Sequence, residues 1–282
     1  MNKPDRPMSA KRIRRWNCHK LECFADFIND YTKALANGVY YLELYANSGK
    51  CLCDRTDCYI DDSSLRALKS RFARHIFVTS DEQEVKSLKE LAGARDRDRV
   101  EIISGNCNNV NTVRRLLDLI PRSASSLVFI DPPGYRVLHW KTIARLARHG
   151  MDWNGKKMDL VIIFPVEMAL VRNLTRPECQ ASITRLYGNQ QWLQIKQEKL
   201  NGEIGLDETR ARLVKLFKSG LSSLGYKYVK DIKPTTFSKS PYYHLIWASD
   251  RGSGKILEEA WGKSRYLPCE LLYEQTDSGQ LS

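Results

Sequence analysis

Five short apolar runs, each separated from the next by a helix-length stretch, constrain this chain more than any other feature. They are VYYLELY (39–45), HIFVT (75–79), VEIIS (100–104), LVFI (127–130) and DLVIIF (159–164). Runs of this length, rich in β-branched and aromatic residues, read as buried strands. Between them, residues 63–74, 81–92, 110–120 and 140–149 read as helices. Parallel neighbours need a crossover connection, so strands alternating with helices of about a dozen residues predict a doubly wound, mostly parallel α/β sheet.

The flanks are read the same way. Residues 16–36 carry Leu21, Phe24, Ala25, Phe27, Ile28, Tyr31 and Leu35 at helical spacing, and Asn37-Gly38 ends that helix. Beyond Pro165 the pattern loosens. Residues 180–200 are polar, with room for one or two short helices, and 208–224 form an amphipathic helix through Leu213, Leu216, Phe217, Leu221 and Leu224. Residues 226–229 and 242–248 close the chain as two strands, expected as an antiparallel pair at the sheet edge. The predicted organisation is a basic arm and helix over 1–38, one α/β domain over 39–262 with an insertion around 174–206, and a flexible tail over 263–282.

Charge points to an anionic partner. The formal net charge is +12, concentrated in KRIRR (11–15), RFARH (71–75) and RLARH (145–149). Such a balance favours nucleic acid first, with a solvated basic face as the alternative. The arm residues Lys11, Arg12, Arg14 and Arg15 are the candidate contacts. No apolar run approaches the roughly 18 residues that a membrane span needs, and the polar N-terminus lacks a signal peptide's apolar core, so a cytoplasmic protein is expected. Of the eight cysteines, Cys51, Cys53 and Cys58 cluster, but no fourth ligand stands at a zinc-finger spacing. Free thiols are expected, and no metal.

Two strand ends carry the candidate chemistry. LVFIDPPG (127–134) is a buried strand that stops at an aspartate, two prolines and a glycine. Both prolines fix their φ and neither donates to a ladder, so the turn is rigid. A carboxylate at the carboxyl end of such a strand stands where open α/β sheets bind ligands, which makes Asp131, Pro132 and Pro133 candidates; the alternative is an Asp that only caps the turn. The first strand ends in YLELYANSGK (41–50), where a small turn with Gly49 lets the backbone approach a ligand and Glu43 can accept hydrogen bonds.

Together these stretches resemble a class I S-adenosylmethionine-dependent methyltransferase, and more narrowly the three-Cys-motif partner family. The resemblance runs from Trp16 to Gly262. It comprises Trp16 with Lys20-Leu21, YLELYANSG, GNCNNV (105–110), FIDPPG, Trp140, DLVIIFP with Arg172 downstream, and SPYYHLIWAS (240–249). It implies a seven-stranded sheet whose last strand is antiparallel, S-adenosylmethionine as cofactor, and a possible protein partner. By resemblance Glu43, Ala46, Asn47 and Gly49 lie at the cofactor's amino-acid portion. The ribose acid falls at Thr79 or Ser80, with Asp81 one or two places late, and Asn106 stands where an Asp usually meets the adenine amine. Asn47 replaces the first glycine of the turn, an exchange its tolerance of left-handed geometry allows.

In amine methyltransferases an acid-Pro-Pro-aromatic turn holds an exocyclic NH2. Gly134 takes the aromatic's place here and Tyr135 follows it. Arg172 reads as a phosphate contact or a carboxylate's structural partner, and Trp140, at helical spacing with Ile143, as core. The expected function is methyl transfer to nucleic acid, an exocyclic amine being one possible acceptor. Three departures at the cofactor positions keep open a decayed methyltransferase fold that binds nucleic acid or protein. A nucleotide-dependent enzyme of another α/β family is disfavoured, since neither GxxxxGK[ST] nor GxGxxG is present.

Overall fold

Strand β2 (Tyr40–Leu44) lies at the middle of the protein, between β5 (Arg74–Thr79) and β7 (Ser126–Ile130), parallel to both. The computed structural model that establishes this describes residues 11–35, 38–47, 49–54, 57–93, 98–150, 157–166, 170–232, 243–252 and 254–263. Outward from β2 the sheet continues through β5 to β6 (Val100–Ser104) on one side. On the other it runs through β7 to β8 (Asp159–Phe164), β10 (His244–Ser249) and β9 (Tyr228–Ile232). β10 is antiparallel to both of its neighbours and every other pair is consistent with one direction, so this is the seven-stranded, doubly wound sheet with its last strand antiparallel. The two closing strands form the expected antiparallel pair at the sheet edge, with β9 outermost and β10 between it and β8. Its sequence, HLIWAS, is buried at every position, as an internal strand requires.

Side chains alternate between two layers. Leu42, Leu44, Ile76, Val78, Val128, Ile130, Leu160 and Ile162 face one core. It is closed by α4 (Val110–Asp118), α5 (Trp140–Arg148), α6 (Val171–Asn173), α7 (Gln180–Tyr187), α8 (Trp192–Leu200) and α9 (Leu206–Ser223). Trp140 belongs to this layer as expected: its ring meets Phe217 edge-on at 5.6 Å and is gripped by Gly188 and Gly220. The alternate residues Tyr41, Phe77, Leu127, Phe129, Val161 and Ile163 face a second core closed by α1 (Arg15–Ala34), α3 (Glu82–Ala92) and α10 (Gly254–Lys263).

Helix α1 is thus a layer of the α/β domain and not a preface to it. Tyr31 donates to Asp159 at 2.6 Å, and Ser249 donates to the other oxygen of the same carboxylate at 2.6 Å. One buried acid therefore ties α1 to β8 and β10. Phe27 reaches Trp247 and Trp261, joining α1 to β10 and α10.

The described end of the N-terminal arm is a strand. Lys11–Ile13 form β1, which pairs in parallel with β3 (Lys50–Cys53); β3 pairs in turn with β4 (Tyr59–Asp61). The cysteine-bearing stretch is therefore a hairpin inserted between β2 and α2 (Ser63–Leu68), and it holds the arm against the body. Helix α2 is half the length expected, stopping before the buried Phe72. The tail beyond 263 lies outside the described residues. No helix among them is long and apolar enough to cross a membrane.

Candidate cofactor and acceptor cleft

The carboxyl ends of β2, β5, β6 and β7 open onto one cleft of about 1930 Å³. Ala46, Asn47, Asp81, Asn106, Asp131, Pro132 and Pro133 all line it, as do Lys11, Arg12, Arg14 and Arg172. Candidate residues from six separate stretches of sequence thus converge. Glu43 and Gly49 do not line it, and the side chain of Arg15 lies outside the described structure.

The turn after β2 is anchored at both ends. The Ala46 N–H donates to the Val78 carbonyl at 3.0 Å, fixing the turn to β5. Tyr45, not Asn47, takes the left-handed conformation, with φ 66°. A non-glycine residue held there stores roughly 1–3 kcal/mol of backbone strain. What holds it is the phenol, which donates to the Val137 carbonyl at 2.5 Å, an oxygen shared with the Asn108 amide at 2.6 Å. The first strand's turn is thereby tied to the segment after Asp131-Pro132-Pro133.

Glu43 faces inward rather than to a ligand. Its two oxygens accept from Ser63 at 2.5 Å, Tyr41 at 2.8 Å and Ser64 at 3.1 Å. Burial pushes its pKa up to about 7 against the opposing pull of those hydroxyls. Its role is to seat α2 on β2. Gly49 has φ +96°, and its carbonyl accepts from Asp62 N–H at 2.9 Å, so it shapes the hairpin.

At the next strand ends, Asp81 caps α3, its Oδ1 accepting from the Gln83 and Glu84 amides at 2.8 and 3.4 Å. Thr79 accepts from the Asp81 N–H at 3.3 Å. Asn106 accepts from the Asn108 N–H at 2.8 Å through Oδ1, which fixes the amide and leaves its NH2 and a second lone pair of Oδ1 to the cleft.

Asp131 ends β7 and forms an ion pair with Lys20 of α1; their side chains are 22% and 6% exposed. Sequence reasoning missed this pairing, although Lys20 was among the matched residues, because helical spacing does not say which strand end a side chain meets. Tyr135 is 1% exposed and packs in the core, so the aromatic place stays empty. Arg136 and Val137 stand at the cleft there instead.

Asp62, also missed, caps α2 through Oδ1, which accepts from the Leu65 N–H at 3.0 Å. Its Oδ2 is buried without a hydrogen-bond partner, although Asp62 lines the cleft. The run Asp61-Asp62-Ser63-Ser64 carried a helix-start signal that points to it. A donor or cationic group in the cleft would satisfy that oxygen, and so the residues present fit a zwitterionic cofactor. No group of three or more His, Cys, Asp and Glu among the described residues is disposed to hold a metal.

No family model matches the sequence. No curated protein matches it either. Methyltransferases are among the solved structures to which the chain is similar. An O-methyltransferase from Bacillus cereus in complex with SAH is 10% identical over 80% of each chain, with a TM-score of 0.47. The bifunctional kinase-methyltransferase WbdD is 10% identical with a TM-score of 0.44; the match covers 82% of this chain and 39% of WbdD. An O-methyltransferase family protein from Burkholderia thailandensis is 9% identical with a TM-score of 0.37, over 82% of this chain and 53% of that one.

Proposed function

We propose that this chain binds S-adenosylmethionine between Ala46-Asn47, Asp81 and Asn106 and transfers its methyl group to a nucleic-acid acceptor presented at Asp131-Pro132-Pro133. One observation carries the reading: Leu44 and Ile130 are register partners on adjacent parallel strands, so the turn after β2 and Asp131 open side by side on one cleft. The resemblance to the three-Cys-motif partner proteins points the same way.

Bound S-adenosylmethionine supplies an already activated methyl on a sulfonium, so alignment is most of what the protein must add. Asp81 has a second carboxylate oxygen for a ribose hydroxyl, and the Asn106 NH2 can donate to an adenine ring nitrogen. Lys20 fixes the orientation of Asp131 through Oδ2 and leaves Oδ1 to accept a hydrogen bond from an acceptor amine. The rigid Pro132-Pro133 backbone holds the place of that acceptor. Lys11, Arg12 and Arg14 line the same cleft, which supports a role for them in meeting the acceptor's phosphates.

Calorimetric titration with S-adenosylhomocysteine tests the reading. Micromolar binding and a raised melting temperature are expected. No thermal shift at millimolar ligand overturns it. A second reading, a non-catalytic module that holds nucleic acid or a protein, is favoured by the buried Tyr135, which leaves the place after Pro132-Pro133 without an aromatic to stack on a base. Cofactor binding without methyl incorporation into RNA or DNA selects that reading.

A further inference from the structure

The least satisfied group in the cleft is Asp62. It is 4% exposed, yet it lines the cleft, and its Oδ2 has no donor among the described residues. Its backbone is fixed by the Gly49 carbonyl and its Oδ1 by the Leu65 amide, so the free oxygen is not free to turn away. Behind it stands a second buried carboxylate, Glu43, whose hydrogen bonds are already filled by Ser63, Ser64 and Tyr41. An unpartnered carboxyl backed by a buried acid selects a cation over a neutral donor.

We infer that Asp62 receives the α-ammonium of the cofactor's amino-acid moiety, and that the acid gives up a proton when that ammonium arrives. The assignment rests on the proposed cofactor reading and names the residue that recognises this end of the molecule. It also gives a role to the inserted hairpin, whose far end delivers Asp62 to the cleft.

The proton follows from the surroundings. Burial pushes the Asp62 pKa up to about 8, and negative charge at Glu43, Glu84 and Asp61 adds to the rise. Asp131 from β7 acts on Glu43 in the same sense. On the other side, Lys11 from β1 and Lys20 from α1 lie near enough to act on Cys51, which also feels Asp62. Without a cation the Asp62 carboxyl keeps its proton at neutral pH; a bound ammonium favours the carboxylate, and the O–H proton passes to solvent. Affinity for an ammonium-bearing ligand therefore rises with pH between about 6 and 8, by up to tenfold per unit for one proton.

The test uses the full chain and two ligands, S-adenosylhomocysteine and 5′-methylthioadenosine, which keeps the adenosine thioether and lacks the amino acid. Asp62→Asn should weaken the first by at least tenfold and leave the second within twofold. Calorimetry in buffers of different ionisation enthalpy should show proton release with S-adenosylhomocysteine at pH 7, lost in the variant. Asn caps a helix as well as Asp, so α2 is kept; should the variant not fold, Asp62→Ser preserves the cap by another route. An equal loss for both ligands, or none for S-adenosylhomocysteine, overturns the assignment alone. If the native chain binds neither ligand, the cofactor reading falls and the assignment with it.

Discussion

Breaking the Lys20–Asp131 pair tests both the stability and the chemistry of the cleft. Asp131→Ala leaves an ammonium whose side chain is 6% exposed facing the space of the lost carboxylate. Removing one partner of a buried pair costs about 3–5 kcal/mol. The lower end applies here, about 3 kcal/mol, because the Asp131 side chain is 22% exposed and water can relax around the gap. That corresponds to a fall in melting temperature of about 6–12 °C for a chain of this size. An aspartate that merely caps the turn would cost only about 1 kcal/mol. Lys20→Met should cost a similar amount, and the double variant little more than either single, giving a coupling of about 2 kcal/mol or more. Urea unfolding of the four proteins measures it. Turnover on the same preparations should fall roughly a hundredfold in Asp131→Ala, with S-adenosylhomocysteine affinity nearly unchanged. Additive stabilities to within about 0.5 kcal/mol would refute the pairing. Normal turnover per folded molecule would refute the role of Asp131 in positioning the acceptor.

Three further outcomes are expected. Glu43 and Asp62 have folded-state pKa values raised to about 7 and about 8, so between pH 5 and 8 the folded chain holds protons that the unfolded chain has lost. Stability should then fall as pH rises through that window, by up to about 1.4 kcal/mol per pH unit per group; urea midpoints at pH 5, 6.5 and 8 measure it, and Glu43→Gln should flatten the dependence. Gly220→Ala should destabilise by about 1–3 kcal/mol in thermal unfolding despite the better helix former, since a Cβ there would stand 2.7 Å from the Trp140 ring. Replacing Lys11, Arg12, Arg14 and Arg15 by Ala should lower the salt slope of RNA or DNA binding in proportion to the phosphates they neutralise, and an unchanged slope would show a solvated run.

The strands were legible because their signals were local. VEIIS and DLVIIF are strands over the residues expected, and Asp81 caps a helix where the acidic first turn predicted one. The small sheet was not legible. Lys11–Ile13 offers a single apolar side chain, and its pairing with Cys51–Cys53 depends on contacts across α1 and β2. Period-two alternation does not register in three residues. The same limit hid the site's electrostatics. The ends of β2, β5, β6 and β7 were visible in sequence, but Lys20 meeting Asp131 and Ser63 meeting Glu43 join residues from different elements. Position in a strand did not tell Glu43's direction either; the hydroxyls that turned it inward come from α2.

The aromatic seam between α1, β10 and α10 has a consequence for synthesis. Phe27 and Tyr31 of α1 pack against Trp247 and Trp261, which emerge from the ribosome more than two hundred residues later. At about 5–20 residues per second, the helix waits roughly 10–50 s for its cover. Through that interval two large aromatic side chains made near the start of translation, Phe27 and Tyr31, lack their tryptophan partners. The seam closes only when β10 pairs with β8 and β9.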